Sequence, residues 1–242
     1  MNWIREQSVA RIARKIGTRV LPNLHHLHRS RIRTCGACQR MTVILALDRA
    51  EELQVCLRCG ANLRYEMLAR HLRLFPLTNC DVLELDPSSP LRPLLRSTKS
   101  YARSYYRPGV EPGSKRADGA VCQDITRLTY PDSSLDLIVS SDVLEHVPDA
   151  SAAFRETARV LRPGGAHVFT VPPRQCTRSR QGLEPEYHSD PLDPAGILVY
   201  WDYGPDLPDV MPTAGLEFRI VAGPEGRDRR IVWEARKTAS LQ

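Results

Sequence analysis

The alternation of hydrophobic and polar residues predicts a series of short strands in the second two thirds of the chain. Five apolar runs with the length and alternation of strands lie at 81–85, 99–106, 119–123, 135–140 and 166–171. The segment 174–213 is rich in Pro, Asp and Gly and predicts a long insertion after the fifth strand. Two more runs, 216–222 and 229–236, predict a closing hairpin around the turn 223–227.

Two stretches with helical spacing accompany these strands. Asp149–Leu161 places Phe154 and Ala158 on its apolar face and ends at a Pro-Gly-Gly turn. Asn62–Leu74 places leucines and a methionine on one face and is predicted to link the amino-terminal part to the main domain. Strands that alternate with helices and finish in an antiparallel pair predict an α/β fold with a doubly wound, mostly parallel sheet.

Four cysteines form two C-x2-C pairs: Cys35 with Cys38, and Cys56 with Cys59. The 17 residues between the pairs match the spacing of a four-thiolate zinc site and can form a hairpin or ribbon. We therefore predict that these cysteines bind a structural Zn²⁺ in a zinc-ribbon-like module that, with its linker helix, spans 35–75. The alternative, a pair of disulfides, requires an oxidising compartment.

Composition and charge narrow the class of protein. The chain has 242 residues, of which 42% are hydrophobic and 26% charged, as in ordinary globular proteins. No apolar run approaches the roughly 18–20 residues of a membrane span, and the amino terminus lacks the apolar core of a signal peptide. We therefore expect a cytoplasmic protein with no transmembrane segment.

Positive charge is concentrated at the amino terminus. Residues 1–40 contain nine arginines or lysines and one acid. Their net charge, 9 − 1 = +8, exceeds the +6 of the whole chain. We predict a basic arm at 1–34 that contacts an anionic or protein partner. The apolar residues from Trp3 to Val20 fall on one helical face, so the arm is predicted to include an amphipathic helix. A solvated basic helix without a partner is the alternative.

The main domain, 76–242, closely resembles the type 11 domain of class I S-adenosylmethionine (SAM)-dependent methyltransferases. The matching motifs are VLEL at 82–85, Asp124-Ile125, LTYPDSSLDLIVSSDVLEHV at 128–147 and RVLRPGGAHVFTVP at 159–172. The resemblance implies a Rossmann-like fold, SAM as cofactor and methyl transfer as the reaction. Cysteine pairs ahead of such a domain, with EYHSDPLD at 186–193 and YGPDL at 203–207, are similar to a subgroup of these proteins.

The resemblance also implies which residues hold the cofactor. Glu84 takes the place of the acid that, with the glycines after it, receives the methionine end of SAM. Asp86 and Ser88 replace those glycines, which elsewhere let the backbone approach the ligand closely. Asp124-Ile125 takes the place that contacts adenine, and Asp142-Val143 lies in the loop that borders the sulfonium. The end of the second strand carries no acid to hold the ribose hydroxyls.

Two histidines are candidates for catalysis. His188 lies in the insertion that is expected to cover the pocket, and an imidazole pKa near 6.5 suits removal of a hydroxyl proton. His146 follows the fourth strand and is the second candidate, with a packing role as the alternative. Methyl transfer depends mainly on in-line positioning, so a base is dispensable for an acceptor that is already deprotonated.

These observations predict O-methylation of a small-molecule or sugar-like substrate by a SAM-dependent methyltransferase. The replaced glycines favour an alternative, a repurposed or inactive methyltransferase fold that acts as a partner-binding subunit. A nucleic-acid methyltransferase agrees with the basic arm, but the chain has no Asn-Pro-Pro-Tyr-type base-methylation motif.

Overall fold

The computed structural model describes residues 21–49, 51–188, 195–211, 215–226 and 229–238. Its amino-terminal part is a three-stranded antiparallel sheet of β1 (Arg31–Thr34), β2 (Met41–Ala46) and β3 (Gln54–Cys56). The hairpin predicted between the cysteine pairs is thereby confirmed as β2 and β3. The amphipathic helix predicted at 3–20 lies outside the described residues.

Fourteen strands are described in total. After the amino-terminal sheet the chain forms β4 (Asp81–Glu84), β5 (Ser100–Tyr105), β6 (Val121–Cys122), β7 (Leu135–Ser141) and β8 (Leu161–Thr170). The insertion contains β9 (Arg178–Ser179), β10 (Tyr187–His188), β11 (Ile197–Leu198) and β12 (Trp201–Asp202). The chain then forms β13 (Leu216–Glu225) and β14 (Arg230–Lys237).

A seven-stranded sheet forms the centre of the protein, in the order β13-β14-β8-β7-β4-β5-β6. The strands β4 to β8 pair in parallel, whereas β14 pairs antiparallel with both β8 and β13. This confirms the predicted mostly parallel α/β sheet with an antiparallel end. In such sheets the strand order reverses at one point, here between β4 and β7, and ligands bind beside the carboxyl ends there.

Four α-helices lie in the described residues: α1 (Leu63–Leu72), α2 (Arg92–Leu95), α3 (Ala150–Val160) and α4 (Leu207–Val210). Asn62 caps α1 and Asp149 caps α3, each through a side-chain oxygen that accepts a backbone N–H. Both predicted helices are confirmed, with ends shifted by one or two residues. None of the described helices has the length and apolar character needed to cross a membrane.

The Pro-Gly-Gly turn after α3 corrects one prediction. The strand expected at 166–171 begins at Leu161, and the turn residues lie inside it where the pairing with β7 shifts register. Gly165 is required there because a Cβ would lie 2.9 Å from the carbonyl oxygen of Arg162 and 3.0 Å from that of Asp136. The glycine thus lets β8 rejoin β7 immediately after α3.

Two hydrophobic clusters cover the two faces of the sheet. α3 packs on one face, where Phe154 meets Phe218 edge to face with ring centroids 5.0 Å apart. α1 and the cysteine module pack on the other face, and Leu68 and Cys59 belong to the same cluster as Val82 of β4. The cysteine module is therefore part of a continuous core with the sheet.

Two side chains attach the first cysteine turn to α1. Glu66 accepts two hydrogen bonds from the Arg33 guanidinium, at 2.8 and 3.0 Å, and one from the backbone N–H of Gly36 at 3.0 Å. Arg73 donates to the carbonyl oxygens of Gly36, at 2.9 Å, and Ala37. A Cβ at Gly36 would lie 3.0 Å from Glu66, so this close approach needs glycine.

Candidate active site

The carboxyl ends of three strands of the parallel part of the sheet, β4, β6 and β7, place the predicted cofactor residues at one edge. Glu84 ends β4, Asp124 follows β6, and Asp142 follows β7. Asp86 and Ser88 lie in the loop after β4, and Val143 and Ile125 each follow one of the acids. Residues up to 59 positions apart in the sequence thus lie along the edge where open α/β sheets bind ligands.

Glu84 and Asp86 form a pair of carboxylates at the start of this edge. Glu84 is buried, and burial together with the charge of Asp86 raises the pKa of its carboxyl to about 8. The Tyr101 hydroxyl donates a hydrogen bond to Glu84. Asp86 accepts from the Tyr65 hydroxyl at 2.6 Å and from the backbone N–H of Ser88 at 2.8 Å. A cationic group bound beside the two acids, such as an ammonium, would offset the charge of Asp86 and favour ionisation of Glu84.

A buried arginine supports the loop that carries Asp86. Arg103 of β5 is 9% exposed and donates to the carbonyl oxygens of Pro87 and Asp118. Arg103 was not identified from the sequence, in which this strand end carries no acid for the ribose hydroxyls. A charged residue inside a predicted strand is the sequence feature that could have identified it. In the sheet, Arg103 lies opposite Glu84 of the neighbouring strand.

Asp124 serves partly as the cap of its own turn. Its Oδ1 accepts hydrogen bonds from the backbone N–H of Thr126 at 2.8 Å and from the Thr126 hydroxyl at 2.7 Å. Both bonds use Oδ1, so a ligand would meet Oδ2. Ile125 points into the core beneath the turn and is 7% exposed. The capping role and a ligand contact are therefore compatible at this carboxylate.

Asp142 lies at the centre of a buried ion-pair network. Its Oδ2 receives the guanidinium groups of Arg64 at 2.5 Å and Arg230 at 2.9 Å, and its Oδ1 receives the Thr170 hydroxyl at 2.9 Å. Burial opposes ionisation, but the two arginines hold the pKa of this carboxyl below its usual value. Glu52, beside the second cysteine pair, contacts Arg230 at 3.0 Å and Arg64 at 3.3 Å. Neither arginine was identified from the sequence.

Next to the loop after β7, three side chains form a compact cluster: Glu145, His146 and His188. His188 Nδ1 lies 3.2 Å from His146 Nε2, and these nitrogens lie 3.6 and 3.7 Å from Glu145 Oε1. The structure thus brings the two predicted catalytic histidines together, although 42 residues separate them in sequence. Glu145 was missed, because an acid beside a histidine in a short helical turn gives no signal of burial.

The cysteine module brings all four predicted ligands together. The four Sγ atoms of Cys35, Cys38, Cys56 and Cys59 lie within 4.8 Å of one another. Cys35 and Cys59 are separated by 3.8 Å and Cys38 and Cys56 by 4.0 Å, near the roughly 3.8 Å that tetrahedral Zn–S bonds of about 2.3 Å require. Backbone N–H groups of Arg58 and Cys59 point at the Cys56 sulfur. This donor set fits a closed zinc site.

Residues 57–169 match a family described as "Methyltransferase domain". A probable S-adenosylmethionine-dependent methyltransferase of Mycolicibacterium smegmatis is 30% identical over 101 residues, which are 41% of this chain and 35% of the relative. A demethylmenaquinone methyltransferase of Mycobacterium marinum is 47% identical over 63 residues, 25% of this chain and 27% of the relative. The chain therefore spans about a third or less of the length of these curated relatives.

A solved structure agrees on the fold. The YcgJ protein of Bacillus subtilis superposes with a TM-score of 0.50 over 73% of this chain and 100% of its own, at 13% sequence identity. At this identity the likeness concerns the arrangement of strands and helices alone.

Proposed function

We propose that this chain, whose residues 57–169 match a methyltransferase domain, is a SAM-dependent methyltransferase acting on a hydroxyl of a small-molecule or sugar-like acceptor. The observation that carries the proposal is the set of acids at the carboxyl edge of β4, β6 and β7. These strands lie on both sides of the point where the strand order reverses. The same residues were expected to hold SAM from the resemblance alone.

SAM supplies an electrophilic methyl group on a sulfonium, and the residues at this edge suit its other groups. Glu84 and Asp86 would receive the ammonium of the methionine end, since a cation beside them offsets the Asp86 charge that helps to raise the pKa of Glu84 and so favours the ionised form of both acids. Asp124 would accept the adenine amino group through Oδ2. Asp142 and Val143 would border the sulfonium. Asp142 would border the sulfonium with its backbone and would not contribute its charge, because Arg64 and Arg230 already balance that charge.

The acceptor side would be formed by the insertion and by the cluster of Glu145, His146 and His188. Tyr200 of the insertion donates its backbone N–H to the Glu145 carbonyl oxygen at 2.8 Å, and His146 Nδ1 bonds the Leu198 carbonyl oxygen at 2.9 Å. These bonds hold the insertion against the loop after β7. An acceptor bound between them would have its hydroxyl beside the cluster, which supports a role for the cluster in handling the hydroxyl proton.

We propose a structural role for Zn²⁺ at the four cysteines. The module holds α1 through Glu66 and Arg73, and α1 in turn places Arg64 and Tyr65 against Asp142 and Asp86. Folding of the metal site would therefore be coupled to the shape of the cofactor edge. Catalysis at this ion is not part of the proposal, because four thiolates complete the coordination shell.

A repurposed fold that binds a partner is the second candidate, and two observations favour it. Asp86 and Ser88 carry side chains where glycines would leave space, and Asp86 is already bonded to Tyr65 and Ser88. Exposed β1 also presents Arg31 and Arg33, which line a cavity of about 210 Å³ together with residues of the cysteine module and Gly226. Such a surface suits an anionic partner, as predicted for the basic arm.

Substitution of Asp124 tests the proposed cofactor site. Asp124→Ala should weaken SAM binding about tenfold or more, because a hydrogen bond to a charged group contributes about 1.5–3 kcal/mol. The measurement is isothermal titration calorimetry with SAM, and Asp132→Ala, at an exposed acid, is the control. Equal affinities of Asp124→Ala and the control would show that adenine does not bind at this carboxylate.

A further inference from the structure

We propose that Glu145, His146 and His188 bind a divalent metal ion of the zinc class, distinct from the ion at the four cysteines. The three ligand atoms lie within 4.8 Å of one another, on the side of the loop after β7 that faces the insertion. Two imidazoles and a carboxylate are a donor set that zinc and other divalent transition metals prefer.

The spacing of the three atoms fits such an ion without rearrangement. The nitrogens of His146 and His188 and the Glu145 oxygen form a triangle with edges of 3.2, 3.6 and 3.7 Å. The point equidistant from its corners lies about 2.0 Å from each, within the range of about 2.0–2.2 Å for zinc bonds to imidazole nitrogen and carboxylate oxygen. One ion can therefore bind all three atoms at once.

Hydrogen bonds on the far side of each imidazole turn a lone pair towards this point. His146 Nδ1 lies 2.9 Å from the Leu198 carbonyl oxygen, which can only accept, so Nδ1 carries the proton and Nε2 faces the cluster as a lone pair. His188 Nε2 lies 3.3 Å from the carboxylate oxygen Glu186 Oε1, which can only accept. Nε2 therefore carries the proton of His188, and Nδ1 faces the cluster as a lone pair. Acceptors that hold the outer nitrogens are the usual support of histidine metal ligands.

Glu145 supplies the negative charge of the site. It is 1% exposed, and among the described residues neither of its carboxylate oxygens has a hydrogen-bond donor within 3.5 Å. A buried carboxylate without donors is costly unless a positive charge lies beside it. With both imidazoles presenting lone pairs, three acceptors face one another, and a bound cation satisfies all of them.

Three protein ligands leave at least one coordination position open, as in catalytic rather than structural zinc sites. That position would take the acceptor hydroxyl and lower its pKa, a role that rests on the proposed methyltransferase activity. The hydroxyl proton would pass to water, its oxygen would gain the methyl group of SAM, and the sulfur would keep the electron pair of the broken bond. His188 would then be a metal ligand instead of the predicted general base.

Titration with Co²⁺ tests the site in the full-length protein, purified with zinc at the cysteines. The wild type should bind one added equivalent of Co²⁺, with visible d–d bands and without the charge-transfer absorption of cobalt–thiolate bonds. His188→Asn and Glu145→Gln should bind that equivalent more than about 100-fold more weakly, and Glu186→Gln about 10–100-fold more weakly. His28→Gln, at a histidine outside the cluster, should bind it like the wild type.

Two results would overturn the proposal: no added equivalent in the wild type, or unchanged cobalt affinity in His188→Asn. Circular dichroism and the zinc content of the cysteine site verify that each variant is folded. Should Glu145→Gln fail to fold, His188→Asn decides, because His188 is only half-buried at the surface of the insertion. The metal titration needs no SAM, so bound cobalt with no SAM binding would refute the proposed function and leave the metal site standing.

Discussion

Replacement of Asp142 by Asn removes the charge that holds together the ion-pair network at the cofactor edge. The carboxylate faces two guanidinium groups, those of Arg64 at 2.5 Å and Arg230 at 2.9 Å. The Asp142 and Arg230 side chains are 10% and 9% exposed, so water screens their interaction little. The variant would leave two neighbouring positive charges with Glu52 as their nearest acid.

Loss of one partner from a buried ion pair costs about 3–5 kcal/mol. For a chain of this size, 1 kcal/mol shifts the melting temperature by about 2–4 °C, so the expected decrease is about 6–20 °C. A matched control is Asp132→Asn. Asp132 pairs with Arg159 at the same 2.5 Å, but its side chain is 77% exposed, so the cost should be at most about 1 kcal/mol.

Urea denaturation of the wild type and both variants, with thermal melts, measures these differences. Because the folded-state pKa of Asp142 is lowered, its contribution is present above the unfolded pKa of about 4 and is lost as the pH falls through the folded value. The difference in the free energy of unfolding between the wild type and Asp142→Asn should therefore decrease in acid. A loss below 1 kcal/mol at neutral pH, or one equal to that of Asp132→Asn, would refute the buried network.

Two further predictions concern the carboxylate at the end of β4 and the cysteine module. Glu84 has a folded pKa of about 8, above its unfolded value, so the stability that it contributes falls as the pH rises from about 4.5 through 8. Thermal melts between pH 5 and 8.5 measure this dependence of the unfolding free energy on pH. Its slope should be smaller by about 1.4 kcal/mol per pH unit in Glu84→Gln than in the wild type. Parallel curves for the two proteins would contradict the raised pKa. Cys56→Ser should lose about one zinc per chain in metal analysis and lower the melting temperature, whereas Cys176→Ser, at an exposed cysteine, should do neither. Full zinc content in Cys56→Ser would exclude the four-cysteine site.

Features that depend on local sequence were predicted well. The strands β4 to β8 and the helices α1 and α3 follow from apolar periodicity and capping residues such as Asn62 and Asp149, which act within a few residues. The cysteine cluster also follows, because each C-x2-C turn presents two sulfurs whatever the rest of the fold does. The start of β8 was misjudged, since a Pro-Gly-Gly turn that stops a helix can also lie inside the next strand.

The charged contacts of the site could not be predicted, because they join residues far apart in sequence. Asp142 is 78 residues from Arg64 and 88 from Arg230, and no local pattern marks either arginine as buried. Glu145 likewise acquires its surroundings only when the insertion brings His188 beside it. Sequence patterns identified which acids reach the edge of the sheet, and tertiary packing decided which of them are neutralised.

Calorimetric titration of the full-length wild-type protein with SAM and with S-adenosylhomocysteine tests the central claim most directly. If the carboxyl edge of the sheet holds the cofactor, both ligands should bind with dissociation constants below about 1 mM, an affinity of at least about 4 kcal/mol. Bound ligand should also raise the melting temperature. The absence of heat and of a thermal shift at millimolar ligand would contradict the account and favour the partner-binding role.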